Sequence, residues 1–153
     1  MVRRVFLGVV AIGAAAVSVA CGGDSGGVQA DPSVAPFVGT WIADSMTVTN
    51  DADTTVVANI LEFGSFTIAV EPSGQYTATL TVSARANVEI GQLTVIGSAL
   101  TLTPSFPAGR SPATSDYVFV TEDFLILDGA TAFDFNLDGT PEAAQGHIEL
   151  QRD

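Results

Sequence analysis

The 153-residue sequence contains no lysine, and its only cationic side chains are five arginines. The absence of lysine excludes Schiff-base catalysis and the lysine of phosphate-binding loops. Asp and Glu number 17, which gives a formal net charge of −12. Since an acidic surface repels phosphate backbones, the composition argues against nucleic acid as a partner. Solubility, or a habitat of high salt, is an alternative explanation of the acidity.

Cysteine and histidine occur once each, as Cys21 and His147. No disulfide can therefore form within the chain. The segment Gly23-Asp24-Ser25-Gly26-Gly27 resembles the sequence around the nucleophile of chymotrypsin-like proteases. A nucleophilic serine needs a histidine base, which precedes the serine in that family, whereas His147 follows Ser25 by more than a hundred residues. We interpret the match as coincidental and expect no enzyme.

The N-terminus has the pattern of an export signal. Arg3 and Arg4 precede an uncharged stretch over 5–20, which is shorter than the roughly 20 residues that span a membrane. Ala20-Cys21-Gly22-Gly23 resembles the processing site of bacterial lipoproteins, although Ser18 stands where leucine is usual. The resemblance implies that Cys21 is lipidated and becomes the N-terminus. We therefore predict a signal peptide over 1–20, a flexible tether over 21–35, a folded domain over 36–153 and attachment to the bacterial cell envelope.

The folded domain has the pattern of antiparallel strands. Residues 75–84 alternate strictly, with Tyr76, Ala78, Leu80 and Val82 on one face and threonines on the other. Turn residues separate further short segments of this kind, including a two-residue hairpin at Gly97-Ser98. The predicted strands number nine, of which some could merge: 37–50, 65–70, 75–84, 88–96, 99–104, 116–121, 123–128, 131–136 and 146–152. Such regular strands favour a sandwich or a barrel.

One segment departs from this pattern. Residues 53–64 place Val56 with Ile60, and Val57 with Leu61, at a spacing of four. This predicts a short helix with Asp53 or Thr54 as N-cap and Gly64 as C-cap. The β-branched content leaves another strand as the alternative.

Gly39-Thr40-Trp41 at the start of the first strand resembles the Gly-x-Trp motif of lipocalins and their fatty-acid-binding relatives. The resemblance implies an all-β, antiparallel, up-and-down barrel of eight to ten strands, closed at one end by Trp41 with an arginine of the last strand packed across it. Arg152 has the parity of Ile148 and Leu150, so it should face inward and use the indole as a cation–π partner.

Strand alternation also predicts what faces the barrel interior. The expected inward set is apolar, and Arg152 is the only inward polar residue that the pattern reveals. An eight-stranded barrel either fills with side chains or leaves room for one small ligand. Both alternatives remain open. The candidate ligand-binding residues are Tyr76, Leu80, Val82, Leu93, Leu100 and Leu102.

Residues 134–145 resemble the calcium loop of EF-hands. Asp134, Asn136 and Asp138 occupy positions 1, 3 and 5, with the Thr140 carbonyl at position 7 and Glu142 at position 9. Gln145 stands where the bidentate glutamate of position 12 is expected, which should weaken binding. The alternative is an acidic hairpin turn that reverses at Asp-Gly. Calcium is thus the one cofactor that the sequence suggests.

These features together predict a lipid-anchored binding module of the cell envelope that carries a small hydrophobic molecule in its barrel. The alternative is a structural or interaction lipoprotein with a filled barrel, stabilised by calcium. A cavity behind Tyr76, Leu80 and Leu102 distinguishes the first prediction from the second.

Overall fold

A computed structural model of the chain describes residues 30–153. The predicted signal peptide, Cys21 and the tether up to residue 29 lie outside the described residues. Within residues 30–153, no helix has the length and apolar character needed to cross a membrane.

The described chain folds into antiparallel strands that follow one another in sequence order. The nine strands of residues 30–153 are β1 (Gly39–Asn50), β2 (Val57–Asn59), β3 (Gly64–Val70), β4 (Gln75–Val82), β5 (Arg85–Ile96), β6 (Ala99–Phe106), β7 (Ala113–Thr121), β8 (Phe124–Phe133) and β9 (Glu142–Arg152). Each strand from β3 to β8 pairs with the next, and β1 pairs with both β3 and β9. Eight strands of the described chain therefore close into a barrel, with β2 added beside β1. The prediction of an all-β, lipocalin-like up-and-down barrel is confirmed.

The hairpins follow the turn residues that the sequence contains. Ile96 pairs with Ala99 across Gly97-Ser98, where Gly97 has a φ of 61°. Glycine adopts this left-handed conformation without steric cost. The predicted strand 123–128 and the first part of the predicted strand 131–136 form a single strand. This strand, β8, runs without interruption to Phe133 and pairs along its length with β9.

The helix predicted over 53–64 is wrong. Asp53 closes a turn by accepting hydrogen bonds from the backbone and hydroxyl of Thr55. The chain then forms β2, which pairs with β1, and a single 3₁₀ turn over Ile60–Glu62. Gly64 begins β3 and does not cap a helix. A short strand, which was the alternative, thus forms over Val57–Asn59, because pairing with β1 outweighs the helical spacing.

One end of the barrel is packed with side chains. We call it the closed end; it contains the start of β1 and the end of β9. The core there includes Trp41, Tyr76, Leu93 and Leu150, each at most 2% exposed. Val34 and Phe37, which precede β1, are part of the same core.

At the opposite end, which we call the open end, neighbouring strands separate. The paired positions of β1 and β3 stop at Ile42 and Thr67, and those of β6 and β7 stop at Leu102 and Ala113. The 3₁₀ turn covers part of the first gap, with Ile60 packed beside Val48. The open end therefore leaves space that the closed end does not.

Candidate functional site

The closed end is fastened by Arg152. Its guanidinium carbon lies 4.1 Å from the centroid of the Trp41 ring, and the two residues are paired across β1 and β9. The guanidinium also donates to the carbonyls of Val38, Pro36 and Glu122, and its Nε lies 3.0 Å from Asp123 Oδ1. Since the void beneath has a volume of only about 20 Å³, this end offers no room for a ligand.

The open end contains a cavity with three adjoining spaces, of about 500, 220 and 170 Å³. Met46 and Thr131 line all three spaces, and we call the whole the open-end cavity. Its largest space alone lies within the range of about 300–1,000 Å³ that is typical of small-molecule sites. The two smaller spaces are lined mainly by apolar groups, whereas polar groups line the largest space at least as extensively as apolar ones. Phe66 and Leu80 each line the largest space and one of the smaller ones.

The structure divides the predicted ligand-binding residues between this cavity and the core. Leu80 and Val82 line the space beneath the 3₁₀ turn, while Leu100 and Leu102 line the space deeper in the barrel. Leu93 instead packs into the closed end, 2% exposed. The Tyr76 ring is fully buried in the same core, and only its hydroxyl group reaches toward the cavity wall.

A polar cluster lies on the cavity wall. The Tyr76 hydroxyl donates a hydrogen bond of 2.7 Å to Glu89 Oε1. Arg110, from the loop between β6 and β7, places its Nη1 3.4 Å from the other carboxylate oxygen. Glu89, Arg110 and Asn87 all line the 500 Å³ space. The expectation that Arg152 is the only inward polar residue is therefore wrong.

The Tyr76 hydroxyl is a fixed donor to Glu89. Burial is the main cause that raises the pKa of the phenol well above its usual range, and the hydrogen bond to the Glu89 carboxylate is the second. The hydroxyl therefore stays protonated and keeps the carboxylate oriented. Gly91 makes room for this contact, because a Cβ there would lie 2.8 Å from Tyr76 Cε1.

Sequence parity could have identified Glu89. The alternation that makes Leu93 a candidate ligand-binding residue places Glu89, four residues before it on β5, on the same face of the strand. Arg110 could not be identified in this way, since it belongs to a loop and strand alternation says nothing about its side chain. Its position depends on the path of that loop, which follows the part of β6 that is not paired with β7.

The predicted calcium loop connects β8 to β9 at the open end. Asp134 accepts the backbone N–H groups of Asp138 and Gly139, and Asp138 accepts that of Thr140. Glu142 accepts the N–H of Phe135. Hydrogen bonds to Thr140 and Asn136 lower the pKa of Asp138. These side chains thus cap the amides of their own loop.

The loop does not assemble a set of anionic metal ligands. Within residues 30–153, no three His, Cys, Asp or Glu side chains are arranged to hold a metal ion. Asn136, which the sequence also proposes as a ligand, accepts the Asp138 N–H and donates to the Asp138 carboxylate. Calcium binding stays a prediction.

His147 lies on the outer face of β9, away from the open-end cavity. Its Nδ1 is 2.7 Å from Asp128 Oδ1, and its Nε2 is 3.5 Å from Glu149 Oε1. The hydrogen bond to Asp128 is the main cause that raises the pKa of the imidazole. The single histidine of the chain therefore contacts two surface carboxylates.

Comparison with known proteins yields structural likenesses only. No family model matches the sequence, and no curated protein matches it. The structure "EF1p2_mFAP2b bound to DFHBI" is 20% identical with a TM-score of 0.49, over 82% of this chain and 98% of that chain. A redesigned β-barrel, b11L5F_LGL, is 16% identical with a TM-score of 0.48, over 79% of this chain and 95% of that one.

A protein of unknown function of the DUF3598 family, from Nostoc punctiforme, is 10% identical with a TM-score of 0.46. The match covers 78% of this chain and 49% of that protein. At such identities and TM-scores, none of these likenesses indicates a ligand for this chain.

Proposed function

We propose that this protein is a binding module that holds a small, largely apolar molecule in the open-end cavity. The observation that supports the proposal is the asymmetry of the barrel: the closed end is filled, whereas the open end keeps a space of about 500 Å³ beside two smaller ones with which it shares lining residues. An apolar cavity with a few polar groups on its wall is the usual form of a small-molecule site.

The proposal includes anchoring of the domain to the cell envelope through a lipidated Cys21. The support comes from the sequence alone: the leader over 1–20, the single cysteine and the glycines that follow it. Incorporation of an alkyne-labelled fatty acid into the full chain tests this step, with Cys21→Ala as the control. Labelling of the variant to the same extent as the native chain would contradict the anchor.

We further propose that the role is one of binding and not of catalysis. The described polar cluster at the cavity joins a carboxylate, a phenol and a guanidinium, while the single histidine lies on the outer surface. The phenol stays protonated because its pKa is raised, so it cannot act as a base near neutral pH.

The cavity is tested by a neutral fluorescent dye, Nile red. The full chain is produced by cell-free synthesis without membranes, so that Cys21 stays unmodified, and is titrated with the dye. Thr131→Phe places a ring where all three spaces meet, and Thr77→Phe adds the same ring on the exposed outer face of β4. We expect saturable binding that Thr131→Phe abolishes and Thr77→Phe leaves unchanged.

Two results would contradict the proposal. One is the absence of saturable dye binding by a chain whose circular dichroism shows folded β structure. The other is binding that survives Thr131→Phe, because the dye would then occupy some other surface.

A further inference from the structure

Glu89 is the group that distinguishes the open-end cavity from a purely apolar one. Its side chain is 21% exposed and reaches the largest space from the β5 wall. One carboxylate oxygen is held by the buried Tyr76 hydroxyl, while the other faces Arg110 at 3.4 Å. The carboxylate is therefore fixed in position at the boundary between the apolar wall and the opening.

Arg110 is a weak competitor for this carboxylate. Its side chain is 56% exposed and belongs to a loop, and its contact with Glu89 is a single ion pair. An ion pair to a side chain this exposed contributes little, because water and side-chain entropy offset the attraction. A cationic ligand group can therefore replace Arg110 beside Glu89 at little cost.

The charge of the whole chain also favours a cationic ligand group. A formal net charge of −12 attracts cations to the protein and repels anions. An anionic ligand group that approached Arg110 would also meet Glu89 beside it, and like charges at that separation repel each other. The two observations favour a cationic group over an anionic one.

We infer that the molecule held in the open-end cavity is an apolar amine, whose ammonium group pairs with Glu89 and whose hydrocarbon part contacts Phe66 and Leu80. Tyr76 acts as a positioning residue that orients the carboxylate. This inference rests on the proposed function, since it specifies which apolar molecules the cavity prefers.

The test is displacement of Nile red from the full chain by three ten-carbon compounds: decylammonium, decanol and decanoate, each below its micelle concentration. The three share a hydrocarbon chain and differ in head-group charge. We expect decylammonium to bind about tenfold or more tightly than decanol, because a charge-assisted hydrogen bond is worth roughly twice a neutral one. Decanoate should bind most weakly.

Two charge-neutralising variants separate the local contact from the general field. Glu89→Gln keeps the shape of the side chain and removes its charge in the cavity, whereas Glu71→Gln removes the same charge from an exposed turn at the closed end. We expect Glu89→Gln to bring decylammonium to the affinity of decanol, with Nile red and decanol unaffected. Glu71→Gln should leave the preference for the amine in place.

The outcomes distinguish the two proposals. If Nile red itself fails to bind, the proposed function fails and the inference falls with it. If the dye binds but decylammonium and decanol compete equally, or Glu71→Gln has the same effect as Glu89→Gln, the inference alone is overturned. Tightest binding of decanoate would also overturn it and would identify Arg110 as the anchoring group.

Discussion

Arg152 covers Trp41 from the last strand, with its guanidinium carbon 4.1 Å from the indole ring centroid. The indole is 1% exposed and donates its own N–H to the carbonyl of Phe37 at 2.8 Å. Arg152 meanwhile donates to the carbonyls of Val38 and Pro36. The two side chains therefore tie the first and last strands of the barrel to the segment that precedes β1.

We expect Arg152→Ala to lower the free energy of unfolding by about 2–4 kcal/mol, since it removes a cation–π contact and several charge-assisted hydrogen bonds. Arg152→Lys should recover only part of this, because an ammonium group lacks the planar fork of donors. Urea unfolding measures both. Arg85→Ala, at an exposed position, is the control and should change stability by no more than about 0.5 kcal/mol. An equal loss in the control would contradict the assignment.

The Tyr76–Glu89 hydrogen bond gives a second prediction. We expect Tyr76→Phe to cost about 1.5–3 kcal/mol, because the bond is made to a charged group at a partly buried position. Tyr117→Phe is the matched control, since its hydroxyl donates to the neutral carbonyl of Gly97 at an exposed site, and it should cost less.

A double-mutant cycle of Tyr76→Phe with Glu89→Ala checks the pair directly. The double variant should lose less stability than the sum of the two single variants, by about 1 kcal/mol or more, since each single variant already removes the same bond. Strict additivity, measured by urea unfolding, would mean that the two side chains do not interact.

The barrel could be predicted from the sequence because each strand carries its own alternation and each hairpin its own turn residues. In β4, Tyr76 and Ala78 alternate with outward threonines, and the pairing with β5 follows this register. The segment over 53–64 could not be resolved in the same way. There the helical spacing of Val56 and Ile60 competes with pairing to β1, which the local sequence does not reveal.

The cavity was less predictable than the barrel, because parity indicates which residues face inward and not how completely they fill the space. Leu93 and Leu80 have the same apolar character and both face inward, yet Leu93 is packed at the closed end and Leu80 lines the cavity. The difference arises where β1 separates from β3 and β6 from β7, which depends on the positions at which pairing stops.

His147 makes the stability of the barrel depend on pH. Its pKa is raised above the ordinary value of about 6.5, chiefly by the hydrogen bond to Asp128, so the folded state favours the protonated ring. The contribution of the ring to stability is fully present below the unfolded pKa and is lost as pH rises through the folded pKa. The pH range over which this stability is lost therefore begins near the ordinary imidazole pKa and extends above it.

We expect the stability difference between the native chain and His147→Gln to shrink as the pH rises above the ordinary imidazole pKa of about 6.5 and the ring loses its proton. Urea midpoints across this range measure it. The effect should be small, because the imidazole side chain is 40% exposed and its ion pairs are open to solvent. A difference that stays constant with pH would show that the imidazole acts only through packing.

The acidic loop between β8 and β9 gives the last prediction. Asp134 accepts two backbone N–H groups through its two oxygens, from Asp138 at 3.1 Å and from Gly139 at 2.8 Å. Its removal should leave both amides without that partner. We expect Asp134→Ala to lower the unfolding temperature in a buffer that contains a chelator, because the caps form without any cation. Asp44→Ala, outside the loop, is the charge-matched control.

The same pair of variants tests calcium. If the loop binds the ion as its spacing predicts, millimolar Ca²⁺ raises the unfolding temperature of the native chain and of Asp44→Ala, but not that of Asp134→Ala. If Ca²⁺ changes none of the three, the calcium prediction is wrong and the acidic side chains serve as amide caps. Equal stabilisation of all three proteins would indicate that Ca²⁺ screens the net charge of −12 in general and does not bind at a specific site in the loop.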